Sequence, residues 1–197
     1  MSTEDPTKLR RHRAKRSTVS TTLHVDDAAE HALARIFGDL RSARIDAGLT
    51  QNELAAGLPF RGRAISEWET GYMEPTLEHL MQVARKLHRR LVILGPNGEL
   101  CTGPLRRRAG EVWAIFERRR LALTLRRRRE ALNLTQEELG RLVGVSRDTI
   151  VRWEAARVPP RPIALVVWAH RLGYSVALRS IDASQGPVDP GDRLLRV

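Results

Sequence analysis

Residues 134–154, LTQEELGRLVGVSRDTIVRWE, read as two short helices joined by a tight turn. Thr135 is set to cap the first helix, and Glu138 three positions on completes a capping-box pattern. The "VGVSR" stretch breaks that helix. The second helix then carries Ile150 and Trp153 at i, i+3 spacing, which gives it an inward apolar stripe. An earlier stretch, 49–69, says nearly the same thing: LTQNELAAGLPFRGRAISEWE. There Thr50 and Glu53 form the box, "GLPFRG" makes the break, and Ile65 and Trp68 repeat the stripe.

The two stretches belong to a longer repeat at a constant offset of 85 residues. It pairs Leu40 with Leu125, Arg44 with Arg129, Leu54 with Leu139, Pro75 with Pro160, Leu80 with Leu165 and Leu87 with Leu172, without a gap. The chain is a tandem duplication. In each copy Asp39 or Thr124 is expected to cap a first helix, and Gly48 or Asn133 to end it in a left-handed stop. A fourth helix follows at Thr76–Leu87 and Pro162–Leu172. Separate helical segments are expected before each unit, at Asp26–Phe37 and Glu111–Ala122. A short Val/Ile-rich strand is expected after each, "RLVIL" (90–94) and "YSVAL" (174–178). "GPNGE" (95–99) would turn the first strand back into a hairpin. The fold class is therefore mainly α: two tandem units, each followed by a short β-strand. The expected division is a basic, disordered tail over 1–24, units over 25–104 and 105–182, and a Pro/Gly-containing tail over 183–197.

A length of 197 residues with 42% hydrophobic content supports one or two small packed domains. No apolar run approaches 18 residues, so no membrane span is expected, and the charged N-terminus lacks the apolar core of a secretory signal. The single cysteine, Cys101, excludes an intrachain disulfide and a thiolate zinc cluster. His12, His24, His31, His79, His88 and His170 show no metal-ligand spacing with it. No Gly-rich phosphate loop or nucleophile motif is present either, so neither a cofactor nor catalysis is expected. Net charge is +11 and unevenly spread. Residues 1–24 carry six Lys/Arg against two acids, 25–104 nine against eleven, and 105–197 nineteen against ten. That balance points to a polyanionic partner, with the second half supplying more of the attraction.

The pattern L-T-Q-x-E-L, a turn, x-I-x-x-W-E, a loop proline and an L-x-x-x-A-x-x-L helix resembles the Cro/CI-type (XRE) helix-turn-helix of phage repressors and bacterial regulators. The resemblance covers about 55 residues per copy. It implies a lambda-repressor-like fold whose third helix enters the DNA major groove. Gln51 and Gln136 would then donate to phosphate at a helix N-terminus, joined by Arg126 and Arg129. The base-reading positions implied are Arg61, Arg63, Ala64 and Glu67 in copy 1, with Gly62 on the same face. In copy 2 they are Ser146, Arg147, Asp148, Thr149 and Arg152. The arginines are the strongest of these, since Arg to guanine is the commonest specific contact. Glu67 and Asp148 would be repelled by phosphate unless they meet a cytosine amine or orient a neighbouring Arg. Arg44 with Glu69, and Arg129 with Glu154, match an ion pair that in this family ties the first helix to the end of the third. Trp68 and Trp153 belong to the core. Copy 2 departs from the pattern at Ala156, where copy 1 keeps Gly71, so the loop "RVPPRP" is expected to take a different path.

Both reading helices lie on one chain, so the expected arrangement is an intrachain pseudo-dimer in which "RLVIL" pairs antiparallel with "YSVAL". A homodimer is left open. The partner is double-stranded DNA, read as two unlike half-sites by a cytoplasmic, nucleoid-associated regulator, expected to be a repressor. The strand also resembles that of antitoxin-type members, which leaves room for an antitoxin that binds a toxin or other protein partner.

Overall fold

Asp26 opens the first helix by accepting the Ala29 amide at 2.9 Å, and α1 then runs unbroken from Asp27 to Asp46. The computed structural model describes residues 22–103 and 105–181. Most of the expected basic tail, up to residue 21, and the whole of the expected C-terminal tail lie outside the described residues. After α1 come α2 (Gln51–Ala55), α3 (Gly62–Glu69), α4 (Leu77–Lys86) and β1 (Arg89–Leu94). The second copy repeats the series as α5 (Trp113–Ala131), α6 (Gln136–Val143), α7 (Arg147–Glu154), α8 (Pro162–Arg171) and β2 (Ser175–Ser180).

The expected division of each first helix from a preceding segment is not found. In α1 the buried stripe Ala29, Ala32, Leu33, Ile36, Phe37, Leu40 and Ala43 keeps its phase past Gly38 and Asp39. One exposed glycine costs a helix only about 1 kcal/mol, too little to break so long an apolar face. Thr124 caps nothing: its hydroxyl donates to the Arg120 carbonyl one turn back, at 3.1 Å. The stops fall where the sequence puts them, with Gly48 at φ 68° and Asn133 at φ 54°. The expected difference after the third helix is also absent at its first residue. Ala156 adopts φ 53° beside Gly71 at φ 73°, so copy 2 makes the same left-handed turn despite a Cβ that disfavours it.

Pairing of the strands joins the copies. β1 and β2 run antiparallel with Leu91 opposite Leu178, Val92 opposite Ala177 and Ile93 opposite Val176. Val92 and Ala177 are also equivalent under the 85-residue repeat, so a pseudo-two-fold axis passes through that pair. The "GPNGE" turn closes with Gly95 N–H donating to Glu99 O at 2.8 Å. It returns the chain only as far as an isolated bridge between Leu94 and Leu100.

The helices obey the same axis. The long first helix of each copy reaches across to the other: α1 packs on α8 and β2, while α5 packs on α4 and β1. One continuous apolar cluster therefore includes residues of both copies. Covered from both sides, α8 buries every residue from Pro162 to Ala169. A further tie crosses between copies at its start. Arg161, the N-cap of α8, makes no side-chain cap hydrogen bond. Glu74 of copy 1 supplies one, accepting the Ile163 amide at 2.6 Å and pairing with Arg161.

One charged cluster at this junction breaks the symmetry. Glu117, on α5 and 2% exposed, accepts from Arg90 of β1 at 2.9 and 2.5 Å and from Arg120 at 2.8 Å. Arg120 also donates to the Leu91 carbonyl. The equivalents of Glu117 and Arg90 in the other half are Ala32 and Ser175. Burial pushes the Glu117 carboxyl up, but the hydrogen bonds and charges of Arg90 and Arg120 outweigh it and hold the group below its ordinary range. Its contribution is then complete above the unfolded carboxyl's pKa of about 4.3 and is lost as pH falls through the lower folded value. Glu117→Ala, which strands a buried Arg120, is expected to cost about 3 kcal/mol in denaturant unfolding. Glu117→Gln should flatten the loss of stability between neutral and acid pH. An unchanged acid slope would remove Glu117 from that role.

Candidate nucleic-acid interface

The third helix of each copy, α3 or α7, is held against the first helix of its own copy by the same three side chains. In copy 1, Arg44 Nε donates to Glu69 at 2.7 Å and Nη2 at 2.8 Å, while Nη1 reaches the Leu49 carbonyl at 2.8 Å. Gln51 Nε2 adds a third donor to Glu69 at 2.9 Å. In copy 2, Arg129 bonds Glu154 at 2.5 and 3.0 Å and the Leu134 carbonyl at 2.6 Å. Gln136 Nε2 completes the set at 2.8 Å. Burial pushes Glu69 up, but hydrogen bonds from Arg44 and Gln51 and the charges of Arg44 and Arg41 bring it below the ordinary range. This knot fixes the C-terminal end of α3 and α7.

Two sequence assignments change in this light. Arg129 is buried, and its guanidinium is turned inward onto Glu154 and Leu134, so it serves as an internal strut with little left for phosphate. Gln51 and Gln136 each spend one amide N–H on the carboxylate, which leaves one to face outward. Their helix starts are prepared for an anion in another way. The capping boxes use the amides of Thr50 and Glu53, and of Thr135 and Glu138. The next amides, of Gln51 and Asn52 and of Gln136 and Glu137, have no acceptor inside the helix.

The outward face of α7 carries Arg147, Asp148 and Arg152, all exposed. Asp148 lies 2.8 Å from Arg152 in an i, i+4 pair. Copy 1 repeats the device with Arg63 and Glu67 at 2.8 Å, so each carboxylate orients an arginine of its own helix. Arg61 and Arg147 are exposed, with no hydrogen-bond or ion-pair partner among the described residues. Ser146 is the N-cap of α7, accepting the Thr149 amide at 3.1 Å, and its hydroxyl also meets the Thr149 hydroxyl at 2.9 Å. Ala64 is half-buried against the core. Three of the nine implied base-reading positions thus carry local structure as well.

The turns of the two copies differ, which the gapless repeat conceals. In copy 2, α6 runs eight residues to Val143, and Gly144 at φ 83° begins a three-residue turn into α7. In copy 1, α2 ends after five residues and Gly57 at φ 75° starts a longer path. Phe60 anchors that path edge-on to Trp68, with centroids 4.7 Å apart, and near His79 at 4.9 Å. Lys86 covers the freed carbonyls of α2, donating to Glu53 O at 3.1 Å and to Ala56 O. Gly62 is the point of closest approach. A Cβ there would stand 2.9 Å from the Asn52 amide nitrogen and nearer still to its side-chain oxygen.

Among the remaining basic side chains, Arg126 pairs with Glu130 at 2.8 Å on the exposed side of α5. Arg128 lies 4.9 Å over the Tyr174 ring and donates to the Leu172 carbonyl at 3.1 Å. The run Arg126–Arg129 therefore divides, with Arg126 and Arg127 outward and the other two turned toward the fold. Among the described residues there is no His/Cys/Asp/Glu group able to hold a metal, and no helix long and apolar enough to cross a membrane.

Two outcomes test this division of labour. Gly62→Ala should lower stability by about 1–3 kcal/mol through overpacking against α2, whereas Arg147→Ala, at the equivalent exposed site, should stay within about 0.5 kcal/mol. Arg129→Ala should cost about 3–5 kcal/mol by leaving Glu154 buried and unpaired. Arg126→Ala should leave the melting temperature alone and lower the salt dependence of duplex binding. The reverse pattern would mean that Arg129 is the phosphate contact.

No curated protein and no solved structure matches the chain. The helix-turn-helix family model HTH_3 matches it twice, over residues 40–94 and 125–178. Those spans contain both knots, both outward helix faces and the start of the strand pairing, and together they make up more than half of the chain. The chain belongs to the HTH_3 helix-turn-helix family of Cro/CI (XRE) type, as a tandem DNA-binding member carrying the unit twice.

Proposed function

We propose that the protein is a sequence-specific double-stranded DNA-binding regulator, in repressor form, that reads two unlike half-sites with α3 and α7 of one chain. In this reading it acts in the cytoplasm on the nucleoid, and residues 25–104 and 105–182 are its two working units. The observation that carries the proposal is the pseudo-two-fold axis through Val92 and Ala177. Two helix-turn-helix units related by such an axis in one polypeptide reproduce the symmetry that dimeric members of this architecture use to engage successive major-groove turns, about 34 Å apart. The two faces differ in side chains, Arg61, Arg63 and Glu67 against Arg147, Asp148 and Arg152. A palindrome would therefore satisfy only one of them.

Arg147 is the principal base contact in copy 2 and Arg63 in copy 1, each worth about 1–3 kcal/mol of discrimination. The strand that motivates an antitoxin reading is paired here with its own duplicate, so it offers no separate argument for a toxin partner. Selection of bound duplexes from a random pool tests the proposal. The wild-type chain should yield an asymmetric site. Arg147→Ala should relax preference in one half and Arg63→Ala in the other. A symmetric palindrome as the tightest site would overturn the two-headed reading, as would equal loss of binding to all sequences in both variants.

A further inference from the structure

Arg118 Nε and Trp168 Nε1 are buried and have no hydrogen-bond partner among the described residues. Both side chains line the same small cavity, where copy 1 meets copy 2. Leu77 of α4 closes it from the first copy. From the second, walls come from Trp153, on the inner side of α7, and from Pro159 and Pro160 in the loop that follows. The rings of Trp153 and Trp168 stand 5.6 Å apart at 32°, and Trp168 is only 1% exposed. Arg118 is the one ionisable residue of the lining, and no carboxylate among the described residues pairs with it.

The fold itself does not require these donors, as the duplication shows. Copy 1 has a cavity at the equivalent place, lined by Phe37, Trp68, Pro75, Leu80 and Val83. There Val83 stands where copy 2 has Trp168, and Leu33 where it has Arg118. Both are buried and apolar, so copy 1 fills these two positions with no donor at all. The polar residue on that cavity, Glu69, is already bonded to Arg44 and Gln51. Copy 2 instead brings two N–H donors and a positive charge to the same place, and nothing in the described chain accepts them. A buried donor left unpaired costs its full desolvation, and a charge without a counter-charge costs more. An acceptor that carries negative charge removes both costs.

Size narrows the acceptor. The cavity holds about 10 Å³ of free space, enough for one particle near the size of a water molecule and too little for a metabolite. A water would satisfy the two donors and leave the guanidinium uncompensated. A monatomic anion answers both. We infer that this cavity is a halide site that takes chloride, held by Arg118 Nε and Trp168 Nε1 at the junction of the two copies. The occupant stands behind α7, on the side of Trp153, and copy 1 has no counterpart to it. The inference does not depend on the DNA-reading proposal above.

The indole resonances of the full chain test it. Its four tryptophans give four Nε1–H signals, and that of Trp168 is identified by its loss in Trp168→Phe. Chloride titrated against gluconate at constant ionic strength should move the Trp168 signal along a saturating curve, and bromide should do the same. The signal of Trp113, which lies outside the cavity lining, should stay in place. Chloride should also raise the melting temperature above its value in gluconate. Arg118→Leu, which installs the residue that copy 1 carries, should abolish both the saturating shift and that rise. Trp168→Phe keeps a ring in the wall and removes the N–H, so it should reduce the rise, a second reading that does not rest on the folding of the first variant. A Trp168 signal unmoved by either halide would overturn the site and leave the donors to water. So would a shift shared equally by all four indoles, or one that survives in Arg118→Leu.

Discussion

Everything in this fold depends on the antiparallel pairing of β1 with β2. A two-stranded ribbon is marginal in water, and either strand alone would present unpaired backbone and the apolar residues Leu91, Ile93, Val176 and Leu178. Paired, they are closed over by α1 and α5, each reaching from its own copy to the other. The pairing fixes the register at Val92 and Ala177, and the register fixes the axis. The relation between α3 and α7 follows from that axis, so a strand slip would misdirect a helix far from it.

Within each copy, geometry is held by a different kind of bond. The Arg44–Glu69–Gln51 and Arg129–Glu154–Gln136 sets are charge-assisted and nearly dry, and each binds three elements of a copy at one carboxylate. Charge of this sort gains little over well-packed apolar side chains, but its loss is costly. It also has direction, which apolar packing lacks. A bidentate arginine meets a carboxylate in few orientations, so the ends of α3 and α7 are set in angle as well as in position.

Much of this was readable in the sequence. The 85-residue repeat, the capping boxes, the Ile/Trp stripes and the strand partners all depend on local pattern or on self-similarity, and the structure places them accordingly. What escaped was decided by longer-range packing. The first helices run through Asp39 and Thr124 because a continuous buried face meets the other copy's α8 or α4, which no local cap signal encodes. The run Pro162–Ala169 is apolar on all sides, a sign of a helix covered from both faces. Its cover comes from α1, more than a hundred residues earlier. At the candidate interface the inward stripe of α7 was legible from spacing, and its outward face from the family resemblance. The inward turn of Arg129 follows from its ion pair, and the shortened α2 follows from Phe60 and Lys86, residues that stand outside the repeat pattern.

Glu117 carries a consequence for how the two halves recognise each other. Its partner Arg90 is found only in the first copy, and the matching place in the second copy is Ser175. If two second copies from different molecules were to join like with like, each Glu117 would meet a serine and keep only the arginine of its own helix. First copy with first copy would set Arg90 against Ala32. The halves are thus matched to each other, and a pairing of identical ends would leave Glu117 without the arginine that the other half supplies.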